Sequence, residues 1–147
     1  MTQRVRYQKL DDRAVAPAYG SADAAGADLY AVMDAPLSLA PGQTALVKTG
    51  LAVEIPAGFV GLVCARSGLA TKRGLAPANK VGVIDADYRG EIMVALHNHS
   101  AETQTIEHGE RVAQLVLVPY LTASYEQAES LTDTDRGAGG FGSTGTK

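Results

Sequence analysis

Cysteine is almost missing from this chain. The one residue present, Cys64, excludes an intrachain disulfide and a zinc site built on several cysteines. It closes the apolar run Val60 to Cys64 and reads as a small core hydrophobe. Long apolar runs are missing as well. None approaches the ~20 residues of a membrane span, and the start Met1-Thr2-Gln3-Arg4-Val5-Arg6 lacks the apolar stretch of a signal peptide. A cytoplasmic, reducing compartment is the expectation, without membrane contact. There is no basic excess: 13 Lys and Arg stand against 16 Asp and Glu, for a net charge of -3. Sequence-independent nucleic-acid binding needs cations to neutralise phosphates, so nucleic acid is not an expected partner. Helical periodicity is scarce too. A single short helix is expected over Ser67 to Arg73, stopped by Gly74. No internal repeat is visible.

What is present is a globular composition and regular punctuation. The 147 residues are 46% hydrophobic and 20% charged, which suits one domain with a real core. Turn signals such as Gly20-Ser21, Pro41-Gly42, Pro56-Ala57-Gly58 and His108-Gly109 separate short runs rich in Val, Leu and Ile. Thr44 to Val47, Leu51 to Ile55, Phe59 to Cys64, Ile92 to Leu96 and Val112 to Val118 read as strands, and Val5 to Leu10 as a further one. Leu51, Val53 and Ile55 alternate onto one face. Such spacing predicts an all-β sandwich or barrel. From about Thr122 the strand signal fades into a glycine-rich tail. By composition that tail is a frayed end, yet Arg136, Phe141, Ser143 and Thr144 within it supply what a lid over a phosphorylated ligand needs.

Several residues have the chemistry of a phosphate site. Arg66 offers a planar fork of donors. Ser67 and Gly68 fall where the helix should begin, and helix N-termini attract anions. Asp85 follows the apolar Gly82-Val83-Ile84 and is expected to be partly buried, where a carboxylate needs a partner or a task. Asp28, Asp85 and Glu110 are the acidic residues that could serve a metal, if the fold brings them together. Oxygen ligands alone favour magnesium. His97 and His99 should share one face of a strand; surface or cross-strand histidines are the simpler reading, with a two-histidine metal site as the alternative.

Five segments in order complete the pattern. They are Ala25-Gly26-Ala27-Asp28-Leu29-Tyr30-Ala31, Ala65-Arg66-Ser67-Gly68-Leu69-Ala70, Asn79 through Gly82-Val83-Ile84-Asp85-Ala86-Asp87-Tyr88-Arg89-Gly90, Gly109-Glu110-Arg111-Val112-Ala113-Gln114-Leu115, and Arg136-Gly137-Ala138-Gly139-Gly140-Phe141-Gly142-Ser143-Thr144-Gly145. Over this span the chain resembles the trimeric deoxyuridine triphosphatase family, whose five motifs stand in this order. One departure is Ala65, where the family usually has Pro before its Arg.

The resemblance implies a distorted jelly-roll-like β-barrel or sandwich over residues 1–121 and a flexible arm over 122–147. It implies a homotrimer with shared active sites that cuts dUTP to dUMP and pyrophosphate with Mg2+. That reaction limits uracil incorporation into DNA and supplies dUMP for thymidylate synthesis. By the same resemblance Asp85 is the general base for water attack on the α-phosphorus. Gln114 positions water or phosphate. Arg66, Ser67, Gly68, Arg136, Gly142, Ser143 and Thr144 hold phosphates. Asn79, Gly82, Val83 and Ile84 pair with uracil, Phe141 stacks on it, Tyr88 packs under the deoxyribose, and Asp28 holds the metal through water. A deaminase on the same fold would need a Glu five residues beyond Gly90; that position is Ala95. A binding module without catalysis would need none of Asp85, Arg66, Gln114, Arg136 or Phe141.

Overall fold

The computed structural model describes residues 2–143. Its elements in chain order are β1 (Arg6–Lys9), β2 (Ala18–Tyr19), β3 (Gly26–Tyr30), β4 (Leu37–Leu39), β5 (Thr44–Glu54), β6 (Phe59–Cys64), α1 (Ser67–Arg73), β7 (Leu75–Pro77), β8 (Gly82–Ile84), β9 (Glu91–Asn98), β10 (Gln104–Ile106) and β11 (Arg111–Pro119). They form a jelly-roll-like β fold of antiparallel strands. One sheet runs β1-β5-β9-β7, a second β2-β3-β11-β6-β8, and β4 pairs with β10 apart from both. Among the described residues no helix is long and apolar enough to cross a membrane.

The core lies between the two larger sheets. Leu29, Ile55, Leu75, Ile92, Leu96 and Ile106 are fully buried. Each such side chain removed from water contributes ~1.5–3 kcal/mol. Alternation in β9 is complete: Ile92, Val94, Leu96 and Asn98 point inward, while Met93, Ala95 and His97 point out. Among the described residues two polar ones, Thr49 and Asn98, enter the core and both are satisfied. The Thr49 hydroxyl donates to the Ile92 carbonyl at 2.6 Å. Asn98 donates to the carbonyls of Leu39 and Glu102 and accepts from the Ser100 N–H, locking the corner after β9.

The structure differs from the sequence reading in three places. The two strands expected at Thr44 to Val47 and Leu51 to Ile55 are one strand, β5, whose pairing with β9 shifts between Lys48 and Ala52. Gly50 lies at that shift with φ +66, and a Cβ there would meet the Ala14 Cβ at 2.9 Å. A bulge therefore bends one strand where a turn would have separated two. Cys64 is half-buried, not a core residue. It shares its face of β6 with Leu62, while Gly61 and Val63 take the core side. Asp85 is exposed, because β8 before it is the outermost strand of its sheet.

Candidate active site

Strand register assembles the first half of the site. β11 lies between β3 and β6, and Gln114 faces Asp28 on one side and Cys64 on the other. Just past Cys64 the chain leaves the sheet at Ala65 and enters α1. The result is a cleft of about 250 Å³ whose walls include Gly26, Asp28, Arg66, Ser67, Gly68, Arg111 and Gln114. A larger cleft of about 400 Å³ beside Arg13 and Lys48 holds none of the expected site residues.

The polar groups of this cleft are fixed within the chain. The Asp28 side chain is only 13% exposed; Arg66 Nε donates to its Oδ1 at 2.7 Å and Arg111 Nη1 to its Oδ2 at 3.2 Å. Because Arg66 bonds through Nε, its terminal nitrogens are left to face an anion. Gln114 Nε2 donates to the Ala65 carbonyl at 2.9 Å. A carbonyl is present with Pro or Ala at position 65, so the departure from the family motif leaves this bond available. The other side of the amide fills the space above Gly26, where a Cβ would stand 2.1 Å from Gln114 Oε1.

The helix adds donors. Arg66 is the N-cap residue, extended at φ -91 and ψ 128, and no side chain caps the helix. The first N–H groups of α1, those of Ser67 and Gly68 included, therefore point outward unpaired, as an anion requires. The far end is anchored. Gly74 ends the helix in the left-handed region at φ 64. Arg73 donates to Gln104 Oε1 at 3.2 Å, to Glu110 Oε2 at 2.7 Å and to the Thr105 carbonyl. Glu110 is thereby committed to holding α1 in place. Among the described residues no three His, Cys, Asp or Glu side chains gather around a metal-sized space, so Asp28, Asp85 and Glu110 do not form a cluster.

The third motif lies elsewhere. β8 runs antiparallel to β6, with Gly82 opposite Val63 and Ile84 opposite Gly61. Asp85 thus follows the end of β8 that is remote from Ala65 and Arg66, roughly 13 Å along the strand from Cys64 at ~3.3 Å per residue. Asn79 and Val83 are exposed, and Gly82 and Ile84 are partly so. As β8 is an edge strand, one line of its backbone N–H and C=O groups has no strand beside it. Tyr88 is 40% exposed, with its N–H donating to the Asp85 carbonyl at 3.1 Å.

After Tyr120, whose N–H donates to the Gly58 carbonyl at 3.0 Å, the chain leaves the body. Leu121, Tyr125, Leu131 and Phe141 are almost wholly exposed. Among the described residues, the hydrogen bonds made beyond residue 120 stay within the tail: Arg136 Nε to the Gly139 carbonyl, Gly137 N–H to the Thr134 carbonyl and hydroxyl, Gly139 N–H to the Arg136 carbonyl, and Ser143 N–H to the Gly140 carbonyl. Phe141 and Gly142 both have positive φ, so the motif is a run of tight turns. Thr144 lies outside the described residues. One chain thus brings Asp28, Arg66, Ser67, Gly68 and Gln114 together and leaves Asp85, Tyr88, Arg136 and Phe141 apart from them. Sequence reasoning missed Arg111 and the spacing role of Gly26; both lie inside quoted motifs, where residue type alone gave no role.

The family model for dUTPase matches residues 12–145 of the chain. A deoxyuridine 5'-triphosphate nucleotidohydrolase of Acinetobacter baylyi is 48% identical over 141 residues, spanning 95% of this chain and 94% of that protein. Its counterpart in Acinetobacter baumannii is 51% identical over 130 residues, spanning 88% and 87%. Among solved structures, the Staphylococcus bacteriophage 80alpha dUTPase with dUPNHPP matches with a TM-score of 0.89 at 31% identity, over 98% of this chain and 99% of that one. A mutant dUTPase from phage phi11 of S. aureus, in which a structural Mg(II) ion is coordinated, matches with a TM-score of 0.80 at 27% identity, over 89% and 100%.

Proposed function

The chain belongs to the dUTPase family and hydrolyses dUTP to dUMP and pyrophosphate, and from that premise we propose how its residues divide the work. The observation that carries the reading is the cleft in which Arg66, the first turn of α1 and Gln114 converge beside a carboxylate already neutralised by two arginines. A triphosphate fits such a place. Arg66 and the N–H groups of Ser67 and Gly68 take its oxygens, and their charge counters what builds on the phosphates as the bond breaks. Gln114, with one amide hydrogen on Ala65, uses the other on phosphate or on the attacking water.

Asp85 is the general base. It accepts a proton from water as the water oxygen bonds to the α-phosphorus and the bond from that phosphorus to the bridging oxygen breaks, releasing pyrophosphate. Asp85 is remote from Arg66 within one chain, so a second copy supplies it. That arrangement is the shared site of a homotrimer. The arm, residues 122–147, then closes from outside. Phe141 covers the uracil, and Arg136, Gly142, Ser143 and Thr144 meet the terminal phosphate. The open edge of β8, with Asn79, Gly82, Val83 and Ile84, pairs with the uracil edge. A donor there rejects cytosine's amino group, and such a mismatch discriminates ~10⁴-fold or more. Tyr88 packs under the deoxyribose.

The donor set fits magnesium in one way. Asp28 has an arginine on each oxygen, and each oxygen keeps a lone pair for a water. Asp28 would hold the ion through water while the triphosphate provides the inner ligands, as magnesium prefers. Bound there, the ion supplies charge neutralisation on the phosphates. The test is pyrophosphate release with magnesium from dUTP, dCTP, dTTP and UTP. Turnover of dUTP alone supports the base and sugar readouts together. Equal turnover of dCTP would remove the β8 edge from its role.

A further inference from the structure

We propose that Gly90 and Glu91 are positioning residues that hold the Tyr88 ring at the height where it separates deoxyribose from ribose. The proposal rests on the reading of Tyr88 as the sugar platform. The Tyr88 hydroxyl donates to the Glu91 carbonyl at 2.9 Å, three residues on. To reach it the ring folds back across Gly90. A Cβ at position 90 would stand 2.4 Å from the Tyr88 hydroxyl oxygen, 2.6 Å from Cζ and 2.9 Å from Cε2. All three are atoms of the ring end, and none is backbone. Glycine at 90 is therefore required by the ring and not by the chain, since Gly90 is not among the residues with positive φ.

The support continues inward. The Glu91 carboxylate accepts the N–H of Gly50 at 2.9 Å, the glycine at the β5 bulge. The carbonyl that receives the Tyr88 hydroxyl thus belongs to a residue fastened to the core sheet. The turn itself has separate bonds: Tyr88 N–H to the Asp85 carbonyl, and Arg89 Nη1 to the carbonyls of Ala86 and Tyr88. A methyl at 90 would leave those bonds in place and lift only the ring. Selection against a 2′-hydroxyl depends on contact distance, so a ring that moves by the width of a methyl loses its reference.

The experiment compares kcat/KM for dUTP and UTP in the wild type, Gly90→Ala, Tyr88→Phe and Tyr88→Ala, with thermal midpoints of each. Gly90→Ala should lower the dUTP to UTP ratio by about tenfold or more, near the scale of a one-methylene change in a pocket, with an unchanged midpoint. Tyr88→Phe removes the tether without adding volume and should lower the ratio by a smaller factor. It keeps the test open if Gly90→Ala unfolds. If Tyr88→Ala relaxes the ratio and neither Gly90→Ala nor Tyr88→Phe does, the positioning role is overturned. An unchanged ratio in Tyr88→Ala would overturn the platform reading on which the proposal stands.

Discussion

The cleft at the end of β6 and the edge at β8 are built on opposite terms. In the cleft Asp28 and Gln114 are held by their own chain: Asp28 by Arg66 and Arg111, Gln114 by Ala65 and by the missing Cβ of Gly26. At the edge and along the arm, Asp85 and Phe141 stand exposed. The groups proposed to bind the triphosphate are thus already arranged, which spares their ordering cost at the moment of binding. In the proposed reading the groups for the chemistry and for the base come from a second copy and from the arm. Substitutions on the two sides should fail in different ways.

The largest effect is expected at the edge. Asp85→Asn should lower kcat by roughly 10²–10⁴-fold, the usual worth of a general base, while a non-hydrolysable dUTP analogue binds as before. Full turnover would remove Asp85 from that role. Next comes the arm. Deleting residues 136–147 should cut kcat/KM by about 10²-fold, as loss of a closing lid does. The thermal midpoint and the oligomer size on gel filtration should not change, and a fall in either would make the arm a structural element. Inside the cleft, Asp28→Asn should act on binding, weakening the analogue by roughly tenfold as Arg66 and Arg111 lose their charged partner. Measured with and without magnesium, that loss should persist in both; a loss seen only with magnesium would return Asp28 to the metal alone.

The smallest effect is expected outside both regions. His97 and His99 lie with ring centroids 4.3 Å apart. Partial desolvation first, then the charges of His97 and Lys80, hold His99 below its ordinary value of 6.5. The folded state then binds fewer protons than the unfolded chain. Stability is full above the ordinary histidine range and declines as pH falls below it. His97→Gln should flatten that decline slightly, visible as a smaller shift in urea midpoint between pH 7.5 and 5.5. An unaltered shift would show that His97 contributes nothing to it.

The two regions also differ in how far the sequence disclosed them. Helix α1 was legible to the residue, because Gly74 marks its end through a local conformational need. The longer strands were legible as runs of Val, Leu and Ile, whereas the short β2, β3, β4, β7, β8 and β10 carry too few residues for a pattern and were not. Local pattern could not show that β8 is an edge strand, so the apolar Gly82-Val83-Ile84 was misread as burying Asp85. It could not show the pairing of Arg111 with Asp28 either, since the register of β3 on β11 decides that contact. Cys64 was misplaced for a related reason: a run of apolar residues does not say which face turns inward. The polar Glu110 looked like a metal ligand until the fold gave it Arg73.

The shortness of β8 has a further consequence. An open strand edge is a template for any other strand, and long ones invite aggregation. Three residues span only ~10 Å, shorter than the five or six of a common strand. Lys80 stands just ahead of them, a desolvation cost for any strand that tries to add. On the proposed reading the same short opening that offers its free N–H and C=O groups to a flat heterocycle leaves little length for a long strand to add, so one dimension of the fold serves both ends.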